Sequence, residues 1–382
     1  MGSSPKRVTG KNEEPKFLVL CISTIGLSQR GLTTQSHDGP IHQITTMSNT
    51  KKRIAYIDAL RGLTMTLVVY QHINTFTGGD SVYGSLWSEA LTAFRMPLFF
   101  FISGFIAYKA IEWTPRIFIE LLFKKAKIQL IPAIVFSLIY TTVFHNNTQI
   151  DITRYWFTEV LFEFFAIFYT ISLISKQRVW LKNTLLTGFA AAGVICILLH
   201  IGQEMTFYDS LCLENALKYF QFFVLGILAR QFEQTTKSIL NNSFVNSAVI
   251  VLFVISLLSL RTTFILESSI FRGLIRSIIL RYTGLFIILS LFYRNQEYFA
   301  ANGTVSRTMQ YIGRHTLDIY LIHYFFIEHN GTIAARIHSI GNLPLEIFAI
   351  GALALMNIAL CLLLSQCIRN SKFLAKYLFG AK

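Results

Sequence analysis

The sequence predicts an all-α, polytopic membrane protein of about ten transmembrane helices with both termini cytoplasmic, and three observations carry that prediction. The first is composition: of 382 residues, 53% are hydrophobic and 14% charged, against roughly 25% charged residues in soluble domains, and the mean hydropathy is +0.50. The second is length. From Met47 onward ten apolar runs recur, at about 55–75, 89–110, 126–144, 154–174, 184–201, 215–232, 244–261, 270–293, 309–327 and 345–368, each near the ~20 residues a helix needs to cross the hydrocarbon core. The third is charge. Residues 51–53, Lys109, Arg116, Lys124, Lys125, Lys127, Lys176, Arg178, Lys182, Arg230, Lys237, Arg294, Arg307, Arg314, Arg369, Lys372 and Lys376 fall on one side of the alternating runs. The opposite loops hold Arg154 and Arg336 among Asp80, Asp209, Glu214 and Glu267. Basic loops stay cytoplasmic, which places both termini inside.

Taken in order, the chain begins with residues 1–46, where an apolar run from Phe17 to Leu27 follows Lys16 and leads into a polar stretch without a small-residue cleavage site. This reads as an upstream extension, a misassigned start included, ahead of one membrane domain over 47–382; a cleaved signal or an extra anchor is the alternative. The net charge of +14 sits in short loops, where it sets topology toward the lipid bilayer and does not suggest nucleic acid. Cys21, Cys196, Cys212, Cys361 and Cys367 are scattered without a C-x-x-C pair. They read as small hydrophobes, with no metal ligand set and no disulfide frame.

The first run carries Asp58, Arg61 and His72, and a charge in hydrocarbon costs roughly 3 kcal/mol or more, which marks such residues as functional candidates. Arg61 and His72 are eleven apart, which on a helix is three turns plus about 20° and a rise of about 16 Å. They share one face, Arg61 near the inner surface and His72 near the outer one; the plainer alternative is a snorkelling Arg and a core His. The second run, Phe94 to Phe105, includes Pro97 and the pair Ser103-Gly104, for which a kinked helix in close contact with another suffices. Arg116, Lys124, Lys125 and Lys127 then form a basic patch suited to the phosphates of an anionic cytosolic ligand, or to ordinary anchoring.

The fourth run starts Arg154-Tyr155-Trp156-Phe157-Thr158-Glu159 and places Glu159 and Glu163 on one face. Glu159 falls at the depth of His72 and is the candidate for orienting it; a structural pair with Arg272 or Arg276 is the alternative. Those two arginines alternatively hold a sugar or an anionic group from outside. In the ninth run, Ile312 to Tyr324, Asp318 lies in the inner half and His323 further out, near the level of His72. Walker A, G-x-G-x-x-G, H-E-x-x-H and G-x-S-x-G patterns are absent, which removes the usual nucleotidase, metalloprotease and soluble hydrolase classes.

Together, D-A-L-R-G with a His eleven after the Arg, M-P-L-F-F-F-I-S-G-F, Tyr155-Trp156-Phe157, F-F-V-L-G and I-G-R-H-T-L-D-I-Y-L-I-H resemble the acyltransferase-3 family of integral membrane acyltransferases. The likeness runs from Arg53 to about Arg369. It implies a ten-span bacterial inner-membrane enzyme that moves acyl groups, most often acetyl from cytoplasmic acetyl-CoA, to a glycan or lipid-linked sugar without a metal. It implies Arg61 on the CoA side, His72 as the catalytic residue, and Ser103 within a matching F-F-x-x-S-G element. Lys124, Lys125 and Lys127 stand where an Arg-rich pattern is common; Lys contacts a phosphate but lacks the bidentate fork. In the mechanism this suggests, His72, oriented by Glu159, takes a proton from the acceptor hydroxyl and His323 positions the acceptor or shares the proton. A transporter or flippase for an anionic or glycan substrate is the alternative, and a non-catalytic scaffold a third.

Overall fold

The computed structural model describes residues 54–77, 85–109, 111–145, 152–176, 178–199, 212–262, 268–327, 332–371, 374–375 and 378–379. The extension at 1–46, the basic residues at 51–53, Asp80, Asp209, Glu267, Lys372 and Lys376 lie outside them; those described all belong to the unit Lys52–Lys382. Among them the chain is 89% helical with no strand. The helices are α1 (Ala55–Thr77), α2 (Leu86–Ala107), α3 (Pro115–His145), α4 (Trp156–Ser175), α5 (Val179–Leu199), α6 (Leu213–Gln231), α7 (Glu233–Asn241) and α8 (Ser243–Ser259), followed by α9 (Ser269–Leu274), α10 (Leu280–Arg294), α11 (Gln296–Ala300), α12 (Thr304–Arg314), α13 (Thr316–Ile322), α14 (Thr332–His338) and α15 (Leu343–Arg369). A π-helical stretch, Ile275–Ile279, joins α9 to α10, and a 3-10 turn, His323–Phe326, follows α13.

Six segments among the described residues are long and apolar enough to cross a membrane: α2, α3, α4, α5, α9 with α10, and α15; α7 and α8, bent by 70°, make a seventh if they form one broken span. All ten expected runs are largely helical, but not all meet that measure: α8 is 17 residues long, and elsewhere polar residues or breaks intervene. Helix α1 carries Asp58, Arg61, Gln71, His72 and Asn74, and α6 carries Glu214, Lys218, Gln221 and Arg230. Gln71, Asn74 and Gln221 are buried inside the protein, away from lipid, where intramembrane polar groups are usually placed. The ninth run is divided at His315 and again at His323.

Helix α2 is the most enclosed of these segments, with 72% of its apolar window buried against 17% for α5, which places α2 centrally and α5 at the periphery. Phe100 of α2, Phe164 of α4, and Phe222 and Phe223 of α6 are fully buried around it. Two crossings are made close by glycine. A Cβ at Gly62 would overlap the carbonyl oxygen of Met309, and one at Gly313 that of Asp58, where α1 meets α12. Gly104 and Gly226 stand in the same relation to the carbonyls of Phe223 and Phe101, where α2 meets α6. At the far end of the chain, Asp318 of α13 accepts from Arg369 Nε and Nη2, both 2.9 Å, and from Ser365 Oγ at 2.6 Å. His315 Nδ1 approaches the same carboxylate at 3.2 Å. This buried, charge-assisted group ties α15 to α13.

Candidate functional site

One face of α1 organises the site. Arg61, Val68 and His72, at i, i+7 and i+11, line two cavities in succession, as the 100° periodicity requires. Arg61 opens on a cavity of about 260 Å³ together with Lys125, Ser103, Gln129 and Thr316. His72 opens on a smaller one of about 20 Å³ with Val68, Met96 and Trp156. Phe99, Phe157 and Tyr320 line both, so the cavities adjoin across these three rings. Met96, Phe99, Ser103 and Ile106 form the matching stripe on α2, at helical spacing.

The cations of the larger cavity are held from different elements. Arg61 Nη2 donates to Thr316 Oγ1 at 2.8 Å, which fixes α1 against the first turn of α13. Lys125 Nζ sits 3.5 Å from the centre of the Phe165 ring, a cation–π contact on α4. Lys124 and Lys127 are exposed and do not line this cavity; one helical step of about 100° before Lys125 and two steps, about 200°, after it turn a side chain off the face that Lys125 occupies. Of the three expected lysines, the structure brings one to Arg61. Ser103 is in the cavity wall, its hydroxyl donating to the Phe99 carbonyl of its own helix at 2.8 Å.

Two rings gather around His72. Its ring centre is 5.1 Å from that of His323 and 5.0 Å from that of Tyr324. The Tyr324 hydroxyl lies 3.2 Å from His72 Nε2 and 3.5 Å from Nδ1. The turn after α13 is what brings these groups in. Where α13 ends, its last carbonyls run short of helical donors and side chains supply them: His323 Nδ1 lies 2.8 Å from the Tyr320 oxygen and 3.1 Å from that of Ile319, which also keeps the His323 backbone N–H, and the Tyr155 hydroxyl donates to Leu321 at 3.0 Å. A carbonyl only accepts, so Nδ1 of His323 carries the proton. Its Nε2 is buried with no hydrogen-bond partner among the described residues. Asn357 Nδ2 of α15 donates to the His323 carbonyl at 3.1 Å, holding the turn from behind.

Glu159 is placed elsewhere. Its carboxylate meets Cys212 Sγ at 3.9 Å and it lines neither cavity; the hydroxyl of Tyr324 occupies the place beside His72 that the sequence assigned to Glu159. Of the two alternative partners, Arg276 pairs with Glu89 of α2. Thr316, Gln129, Tyr320 and Tyr324 were not singled out from the sequence. Tyr320 and Tyr324 carried a signal nonetheless: they bracket His323 at i and i+4 in the ninth run, so one helical face holds both.

Residues 54–366 match the family model described as "Acyltransferase domain", of the acyltransferase-3 type. No curated protein and no solved structure matches the chain.

Proposed function

Because the chain belongs to the acyltransferase-3 family, we propose that it is a multi-pass membrane O-acyltransferase that moves an acetyl group from cytoplasmic acetyl-CoA to a hydroxyl of a surface or envelope glycan or a lipid-linked sugar. The observation that supports this most is the pair of adjoining cavities strung along α1, one lined by Arg61 and Lys125 and the other by His72. Two cations in an apolar slot suit the phosphates of CoA, with Lys124 and Lys127 adding to the positive field on the same helix. The rise of about 16 Å from Arg61 to His72 suits the pantetheine arm, which passes the Ser103 stripe and brings the thioester through the ring of Phe99, Phe157 and Tyr320.

The chemistry then follows from the imidazole. Neutral His72 takes the proton of the acceptor hydroxyl as that oxygen attacks the thioester carbonyl. The tetrahedral intermediate collapses with loss of the C–S bond, and the imidazolium returns the proton to the leaving thiolate. Tyr324 orients the His72 ring, and His323, behind it, shares the proton through Nε2. Glu159 stays a candidate for the same task only through a change of rotamer or an intervening group. In this reading all ten runs span the bilayer of the bacterial inner membrane with both termini cytoplasmic, α1, α6 and the α12–α13 pair using the protein interior in place of lipid around their polar residues.

The test is ester-linked acetyl on surface glycans, measured by mass spectrometry in a deletion strain carrying either wild type or His72→Ala at equal membrane abundance. Acetyl present with the wild type and lost with the variant supports the transfer and the role of His72; equal acetylation in both removes His72 from the reaction.

A further inference from the structure

Resting on that acyl-transfer reading, we infer that the cavity beside His72 is the acyl pocket of the enzyme, and that Val68, Met96 and Trp156 set its depth and restrict transfer to acetyl groups. Location comes first. The cavity is bounded by the imidazole and adjoins the cation-lined cavity across Phe99, Phe157 and Tyr320, which is where a thioester delivered from the Arg61 side would put the carbon chain beyond its carbonyl. Size comes second: about 20 Å³ is room for little more than one water-sized group, and a methyl is such a group.

The walls come third, and they are held in place. Val68 and Met96 are buried at 4% and 8% exposure. Trp156 stacks on Tyr219 at 5.9 Å between ring centres and leans on Phe100 at 6.4 Å. Apart from His72, Tyr320 and the Trp156 indole, the lining residues are hydrocarbon or thioether in character (Val68, Met96, Phe99 and Phe157), so the cavity suits a short hydrocarbon group. Each methylene that a pocket of this kind must reject is worth roughly tenfold or more in turnover. Truncating Met96 enlarges this wall while leaving the aromatic rings in place, and its backbone belongs to the central helix α2.

Membranes carrying wild type, Met96→Ala, Val68→Ala, Met96→Leu or His72→Ala at matched abundance are supplied with acetyl-, propionyl- or butyryl-CoA, and the His72-dependent acyl esters formed on endogenous acceptors are counted by mass spectrometry. The expected wild-type preference for acetyl over butyryl is about 100-fold, two methylenes at roughly tenfold each. Met96→Ala and Val68→Ala lower that ratio at least tenfold, and Met96→Leu, which conserves volume, keeps it. A wild type that transfers butyryl as well as acetyl, or a ratio unmoved in both alanine variants, overturns the acyl pocket while leaving the acyl-transfer reading standing. Absence of His72-dependent transfer from every donor overturns that reading, and the pocket with it.

Discussion

Lys124 and Lys125 are neighbours in sequence with different surroundings. Lys125 lines the cavity with Arg61 and lies over Phe165, whereas Lys124 is exposed. If phosphate is held in that cavity, the two side chains differ in what they contribute. Lys125→Ala is expected to raise KM for acyl-CoA about tenfold, the equivalent of about 1.4 kcal/mol, with kcat little changed. Lys124→Ala, screened by water and ions, is expected to raise it less than twofold. Initial rates against acyl-CoA concentration in matched membranes separate the two; equal effects would mean that the patch works as a diffuse field. The pattern K-K-x-K announced a basic patch on a helix, but nothing in it says which lysine faces inward. That is decided by α4, which supplies Phe165.

At the scale of the helices, the sequence was readable wherever one element was enough. The shared face of Arg61 and His72 follows from the periodicity of α1 alone, and the two cavities sit on that face. What stands opposite was not readable, because it comes from far along the chain: Tyr324 is 252 residues from His72 and Thr316 is 255 from Arg61. The break at His315 and the turn at His323 escaped for a related reason. The run itself gives no sign of a helix end that is held by Tyr155 and Asn357 from distant elements as well as by the nearby His323. Glycine is where helix pairing leaves its mark in the sequence. Gly62 and Gly313 lie in the first and last motifs and each meets a backbone carbonyl of the other helix, whereas Gly351 of α15 has open space around its missing Cβ. Gly313→Ala is therefore expected to push α1 and α12 apart and cost about 1–3 kcal/mol, as overpacking does, seen as a lower unfolding temperature in detergent. Gly351→Ala is expected to leave that temperature unchanged or slightly raised. Equal behaviour of the two variants would mean that the crossing tolerates a shift.

Across the whole molecule, the succession of the two cavities along α1 gives the proposed reaction a direction. The basic residues that define one side of the chain include Lys125, which lines the Arg61 cavity, while Trp156, the first residue of α4 and on the opposite side by the same charge pattern, lines the His72 cavity. If basic loops stay inside, acyl-CoA, a charged molecule that does not cross a bilayer, reaches Arg61 and Lys125 from the cytoplasm only. Inside-out vesicles carrying the protein are then expected to release free CoA from acyl-CoA added to the medium. Sealed right-side-out vesicles are expected to do so at least tenfold more slowly, and to reach the inside-out rate once permeabilised. Fluorescent titration of the thiol released, with His72→Ala membranes as the blank, reads all three. A sealed right-side-out rate well above the inside-out one would reverse the direction of the site, and with it the topology that the charge pattern assigns, and equal rates would remove the direction. A low rate in inside-out vesicles that detergent does not raise would instead count against acyl-CoA as the donor, because the cation-lined cavity would then face its ligand without turning it over.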